Sequence, residues 1–254
     1  MLDQLTLTAV PGLPLIQPGD DLGALIVDHA ERANCPLRDG DVVVIAQKVV
    51  SKAEGRRLRL EDVTPGPRAE DLAAQIRKDP RLVEIILRES RQVVRTAPGL
   101  LIVEDRHGLI CANAGVDRSN VEKTDGDWVT LLPVDPDASA RSLRDCIQAL
   151  TGQRVAVLIN DSHGRPWREG ASGVAIGVAG IAPLDDQRGS HDLFGYELQS
   201  TVVAVADQVA AAASLLQGQA DEGRPVVVVR GLRYEARDAA AADALRPRER
   251  DLFR

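Results

Sequence analysis

Apolar runs without polar alternation and stretches of helical period follow one another along the chain, separated by Gly- and Pro-punctuated turns. Residues 5–16 open with an alternation that suits an edge strand. They end in a loop that Pro11, Gly12 and Pro14 keep irregular. Gly19-Asp20-Asp21 opens a helix to about Arg32, with Leu22, Leu25, Ile26 and Ala30 on its apolar face. Asp39-Gly40-Asp41 turns into Val42-Val43-Val44-Ile45-Ala46, a continuous run that predicts a strand buried on both faces. Residues 67–94 predict two helices broken near Asp79-Pro80, sharing a stripe of Leu82, Ile85, Ile86 and Val93. A helix from about Ala138 to Leu150 has Asp137 as its N-cap candidate and Gly152 as its stop. Buried strands follow at 154–160 and at 173–181, the second with glycines where another backbone comes close. A long helix from about Glu197 to Leu216 carries Asp207 as a buried hydrogen-bond acceptor. A strand at 226–229 and a charged tail, helical in its Ala-rich part from about Arg237, complete the pattern. It contains no internal repeat.

Composition narrows the picture. With 254 residues, the chain can build one large domain or two modest ones. Aromatics make up only 2%, so the core is built from Leu, Val, Ile and Ala. Their scarcity, with a net charge of −7, excludes the basic field and stacking platforms of nucleic-acid binding. Cys35, Cys111 and Cys146 form neither a metal-ligand spacing nor a disulfide framework, which makes a reducing cytoplasm the expected location. The first residues lack a basic n-region followed by an apolar h-region, so no secretory leader is expected, and no apolar run reaches the ~18 residues of a membrane span. No membrane partner is expected.

Three stretches carry candidate chemistry. Asn113-Ala-Gly-Val-Asp117-Arg-Ser-Asn120 sets a carboxylate and an amide three residues apart, a hard oxygen ligand beside a hydrogen-bonding group. The plainer alternative is an Asx-type turn. Gln47, Lys48 and Lys52 follow the first buried strand, placed to meet a phosphate or else forming an ordinary solvated loop. The glycines of a Walker A loop are missing. A second buried strand runs into Asp161 and Ser162, where α/β folds tend to put chemistry; the alternative is a strand closed by turn residues. Arg165 and Arg168 flank that acidic centre and favour an anionic substrate. His163 reads as a turn residue outside the site. Arg118 and Arg165 are the only oppositely charged sequence neighbours of Asp117 and Asp161. As converging metal ligands the two carboxylates would repel, so Asp→Asn is expected to cost little stability.

Taken in order, Gly12-Leu-Pro-Leu-Ile16, Gly40-Asp-Val-Val-Val, Val50-Ser-Lys-Ala-Glu-Gly55, Ala114-Gly-Val-Asp-Arg-Ser-Asn-Val-Glu122, Asp161-Ser-His-Gly-Arg-Pro-Trp-Arg168 and Val228-Val-Arg-Gly231 closely resemble the coenzyme F420-0:L-glutamate ligase family. The resemblance spans roughly residues 5–235. It implies an α+β chain of mixed sheets with flanking helices, in two lobes (about 1–95 with 182–254, and about 96–181). It also implies an intertwined homodimer without the reductase-like C-terminal extension of some bacterial members. The implied reaction is GTP-dependent addition of L-glutamate to a deazaflavin carboxylate through an acyl phosphate, with magnesium or manganese at two positions and potassium as a helper. Asp117, Asp161 and Lys52 are then catalytic. Asp117 and Asp161 hold one divalent metal, and Ser162 and Gln219 a second. Gln47, Lys48 and Lys52 position the triphosphate, Asn120 and Gln217 meet the nucleotide, and Leu13, Pro14, Leu15 and Ile16 shape its pocket through backbone groups. Two positions depart from the family pattern: Ser162 stands where Thr is common, and Gln219 where relatives can carry Glu. Alternatives from other classes are a metal-dependent phosphohydrolase, which would want Asp where His163 stands, and a non-catalytic GTP-binding regulator.

Overall fold

The computed structural model describes residues 4–120 and 126–252. Its first half contains β1 (Thr6–Ala9), α1 (Leu22–Arg32), β2 (Val42–Ala46), α2 (Gln47–Ala53), β3 (Arg57–Arg59), α3 (Pro67–Ile76), α4 (Pro80–Arg88), β4 (Ser90–Ala97), β5 (Leu100–Asp105) and β6 (Ile110–Ala112). Its second half contains β7 (Trp128–Thr130), α5 (Pro136–Thr151), β8 (Ala156–Arg165), β9 (Arg168–Ala179), β10 (Asp185–Asp186), β11 (Val202–Val203), α6 (Val205–Gln217) and β12 (Val226–Arg230).

The apolar run at Val42 becomes the middle strand of a five-stranded sheet ordered β1-β12-β2-β8-β9. The β2–β8 pair is parallel and the other neighbours are antiparallel. Val43 and Ile45 face a core with Ile26 of α1 and Ile147 of α5, while Val42 and Val44 face Ala210 and Ala213 of α6. Helices on both faces explain why the run lacks polar alternation: each side chain of the pleat meets apolar atoms, at about 1.5–3 kcal/mol per large residue buried. A third apolar cluster, drawn from residues 60–131, joins α3 and α4 to β5 and to the turn after β6. The architecture is mixed α and β, as the sequence pattern predicts.

Several boundaries differ from the sequence reading. The expected loop after β2 is helix α2. The second helix of the 67–94 stretch ends at Arg88, and Val93 lies on β4. Asp135 caps α5 by accepting from the Ala138 N–H at 2.8 Å. Asp137 instead accepts from the Val178 and Ala241 N–H groups, tying α5 to β9 and to the tail. The helix expected from Glu197 begins at Val205, because residues 187–198 fold back as a hairpin in which Asp192 accepts from the Phe194 and Tyr196 N–H groups. Among the described residues, the Ala-rich tail forms only short 3-10 turns at Ala241–Ala244 and Arg248–Arg250. Asp207 accepts from the Ala175 N–H at 3.0 Å, the structural role expected of it.

Candidate active site

A cleft of ≈ 520 Å³ opens where the ends of β2 and α6 and the middle of β8 meet the turn after β6. Each predicted site residue lines it: Leu13, Pro14, Leu15, Ile16, Gln47, Lys48, Lys52, Asp117, Asn120, Asp161, Ser162, Gln217 and Gln219. Val121 and Glu122 of the motif lie outside the described residues.

Local geometry decides how each group is presented. Lys48 and Lys52 are four apart on α2 and therefore share one helix face, while Val50 and Ser51 are buried. Gln47 is buried, and its Oε1 accepts from the Ser51 hydroxyl. Ile16 packs in the core with Leu13 against it, leaving the backbone of this loop, and the exposed Leu15, to face the cleft.

Asp117 is aimed by an unusual turn. Asn113 and Ala114 hold φ of 53° and 54°, a left-handed conformation that costs a non-glycine residue roughly 1–2 kcal/mol. Asn113 Oδ1 accepts from Lys78 Nζ at 3.0 Å and from the Leu101 N–H at 3.3 Å, which offsets that strain. At Gly115 (φ 67°) a Cβ would lie 2.7 Å from Leu132 Cγ, so glycine is required. Paired backbone hydrogen bonds with Thr130 then fix Asp117 itself.

The Asp117 carboxylate meets Lys48 Nζ at 2.7 Å and accepts from the Ser119 N–H and hydroxyl at 2.7 and 3.0 Å. Burial disfavours its charge, but the hydrogen bonds from Lys48 and Ser119 outweigh that and hold its pKa below the usual carboxylate value. This corrects the expectation drawn from sequence neighbours. Arg118 pairs with Asp127, and the cation at Asp117 comes from α2. Asn120 donates from Nδ2 to the Ala220 carbonyl at 3.1 Å, bridging to the segment after α6.

Asp161 and Ser162 lie within a strand, since β8 continues through Arg165 and pairs with β9. The strand expected to stop at these residues therefore carries them in its middle. Ile159 pairs with Gly177 and Asn160 with Ala175, which leaves Ile176 as the extra residue of a bulge. Beyond the bulge, Asn160 and Ser162 face the end of α6. Asn160 Nδ2 donates to Gln217 Oε1 at 2.7 Å and to Ser214 Oγ at 2.9 Å. Ser162 Oγ donates to Gln219 Oε1 at 2.9 Å. Gln217 commits its Nε2 to the Val44 and Pro225 carbonyls, so its side chain holds the cleft wall together.

Asp161 Oδ2 meets His163 Nε2 at 2.9 Å, with both side chains largely buried. Burial opposes a charge on His163, yet the hydrogen bond and charge of Asp161, with Asp105 and Asp207 adding to it, raise its pKa. His163 therefore belongs to the site's surroundings, contrary to its reading as a turn residue. The period-2 spacing from Asp161 was the available signal. Ser119 and Asn160 were also missed; each sits one residue from a predicted site residue.

Asp117, Asp161, Ser162 and Gln219 offer oxygen ligands to the cleft, and Asn160 Oδ1 is buried with no donor among the described residues. Hard divalent cations suit such a set. Among the described residues no group of three or more His, Cys, Asp or Glu forms a self-sufficient cage. The donor set fits a magnesium-type ion that shares its coordination with substrate phosphates.

Carboxylates, lysines and amides gathered at the ends of a covered mixed sheet define an enzyme-like pocket for a charged small molecule. The sequence profile of the F420-0:Gamma-glutamyl ligase family matches residues 12–231. The Coenzyme F420:L-glutamate ligase of Methanothermobacter thermautotrophicus is 48% identical over 252 residues, covering 98% of this chain and 99% of the relative. That of Methanopyrus kandleri is 48% identical over 258 residues, covering 100% and 99%. The Archaeoglobus fulgidus protein of the same name is 45% identical over 245 residues, covering 96% and 94%. The chain belongs to the F420-0:gamma-glutamyl ligase family.

Proposed function

We propose that the chain is a GTP-dependent ligase that adds L-glutamate to the deazaflavin coenzyme F420-0. The substrate carboxyl takes the γ-phosphoryl group of GTP, and the glutamate amine displaces phosphate from the acyl phosphate. Further γ-linked additions would use the same chemistry. One observation carries this reading: the residues assigned from distant motifs line a single cleft.

Lys48 and Lys52, on one face of α2, supply positive charge to the phosphates, and Asn120 steadies the cleft across to Ala220. Asp117, Asp161, Ser162 and Gln219 would hold magnesium or manganese, which when bound neutralises the phosphate charge that builds up during transfer. Lys48 already neutralises Asp117, so its ammonium must turn toward phosphate when that carboxylate takes a cation. Potassium as a helper ion and a cytoplasmic setting complete the reading. Among the described residues, no helix is long and apolar enough to cross a membrane.

The decisive assay combines the protein with GTP, magnesium or manganese, glutamate and F420-0, and reads products by mass. A gain of one glutamyl unit with release of GDP and phosphate is expected. GTP hydrolysis without that gain would favour the phosphohydrolase alternative, and nucleotide binding without any turnover the regulator.

A two-lobed homodimer is part of the same proposal. Phe194 is 95% and Leu193 98% exposed at the tip of the 187–198 hairpin, in a chain otherwise poor in aromatics. Light scattering should give twice the 27.3 kDa chain mass. A monomer mass for the wild type would refute the dimer.

A further inference from the structure

His163 is largely buried beside the cleft, and its ring is turned to Asp161. Its imidazole Nε2 lies 2.9 Å from Asp161 Oδ2, and both residues project from β8 two positions apart, on one side of the strand. Asp161 Oδ1 makes no other hydrogen bond among the described residues, while its residue lines the cleft. A carboxylate on a single Cβ–Cγ bond can rotate; an imidazole gripping one oxygen stops that rotation and leaves the other to face the ligand. With its side chain 10% exposed, His163 has little freedom to leave this position.

We propose that His163 is a positioning residue for the reaction: it locks the Asp161 carboxylate so that Oδ1 is presented to the cation and phosphate. The inference rests on the ligase reading only through the assignment of Asp161 as a cation ligand. Supporting groups of this kind commonly change metal affinity by about 10–100-fold when removed. The period-2 spacing puts the two residues on one side of the strand, and burial then fixes the grip.

Calorimetry of Mn²⁺ binding to the full chain tests it through three variants, with a non-hydrolysable GTP analogue present at saturation to complete the coordination and the protein-free titration subtracted. His163→Leu removes the grip and keeps the bulk. His163→Gln can place an amide N–H near the position of Nε2. Asp161→Asn removes the carboxylate. The expected result is Mn²⁺ affinity reduced about tenfold or more in His163→Leu, held within about threefold of wild type in His163→Gln, and abolished in Asp161→Asn. Wild-type affinity in His163→Leu, alongside lost affinity in Asp161→Asn, overturns the positioning role and leaves the ligase reading intact. Equal losses in Leu and Gln variants overturn it in favour of a packing role. Undiminished affinity in Asp161→Asn, or no binding by the wild type, overturns the cation assignment and the positioning role with it.

Discussion

Asp117 shows how one long-range contact changes an expectation. Read from its sequence neighbours, it is a metal-binding carboxylate with only Arg118 beside it, and Asp117→Asn should cost little stability. Lys48 stands 2.7 Å away, so the substitution should instead destabilise the protein. Both side chains reach solvent, which limits the effect to about 0.5–1 kcal/mol, or roughly 1–4 °C in Tm. The pH dependence has a definite sign. A carboxylate with a lowered folded pKa contributes fully above its unfolded value of about 4, and the contribution disappears as pH falls through the folded value. The Tm difference between wild type and Asp117→Asn should be constant at neutral pH and shrink below about pH 4. A difference that grows in acid would contradict the ion pair. Turnover should collapse in the same variant if Asp117 holds the cation. Lys52 gives a second residue-scale prediction: Lys52→Ala should weaken GTP binding by about 1.5–3 kcal/mol, the scale of a charge-assisted hydrogen bond. An unchanged dissociation constant would remove Lys52 from the phosphate site.

At the scale of elements, β9 is the edge strand of the large sheet that packs most closely on its helices. It carries two glycines against helix backbones on opposite faces of the sheet. A Cβ at Gly173 would lie 2.5 Å from the Ala210 carbonyl oxygen of α6. One at Gly177 would overlap the Pro136 carbonyl at the start of α5, 2.7 Å from its carbon. Neither obstacle is a flexible side chain. Gly177→Ala should therefore cost about 2–3 kcal/mol through overpacking and lower Tm by roughly 4–12 °C. A variant that melts with the wild type would show that α5 can move away. The glycines of 173–181 were legible as sites of close approach. The bulge at Ile176 was not, because a bulge is a property of two paired strands and only one of them is local in sequence.

At the scale of the whole molecule, Arg230 and Asp41 fasten the end of β12 to the beginning of β2. Asp41 is 1% exposed and takes a two-pronged hydrogen bond from the guanidinium, at 2.8 Å from Nε and 2.7 Å from Nη2. Arg230→Met would leave a buried carboxylate without its cation, at a cost of about 3–5 kcal/mol. Chemical denaturation should show a large fall in midpoint, and a fall under 1 kcal/mol would mean that solvent reaches Asp41. That two residues 189 apart form this clasp is invisible in either motif.

By itself the sequence determined the continuous buried strand at Val42, the apolar faces of α1 and α5 and the mixed α and β class, and it nominated candidate site residues through family motifs. Those features follow from side-chain period and local backbone chemistry, which neighbouring residues encode directly. Tertiary structure alone decided the sheet order, the partner of Asp117, the grip of His163 on Asp161 and the pairing of Asn160 with Gln217. Each depends on chain segments meeting, or on burial that only meeting segments create. The energy of such contacts comes from geometry and desolvation at the meeting point, which no single stretch of residues contains.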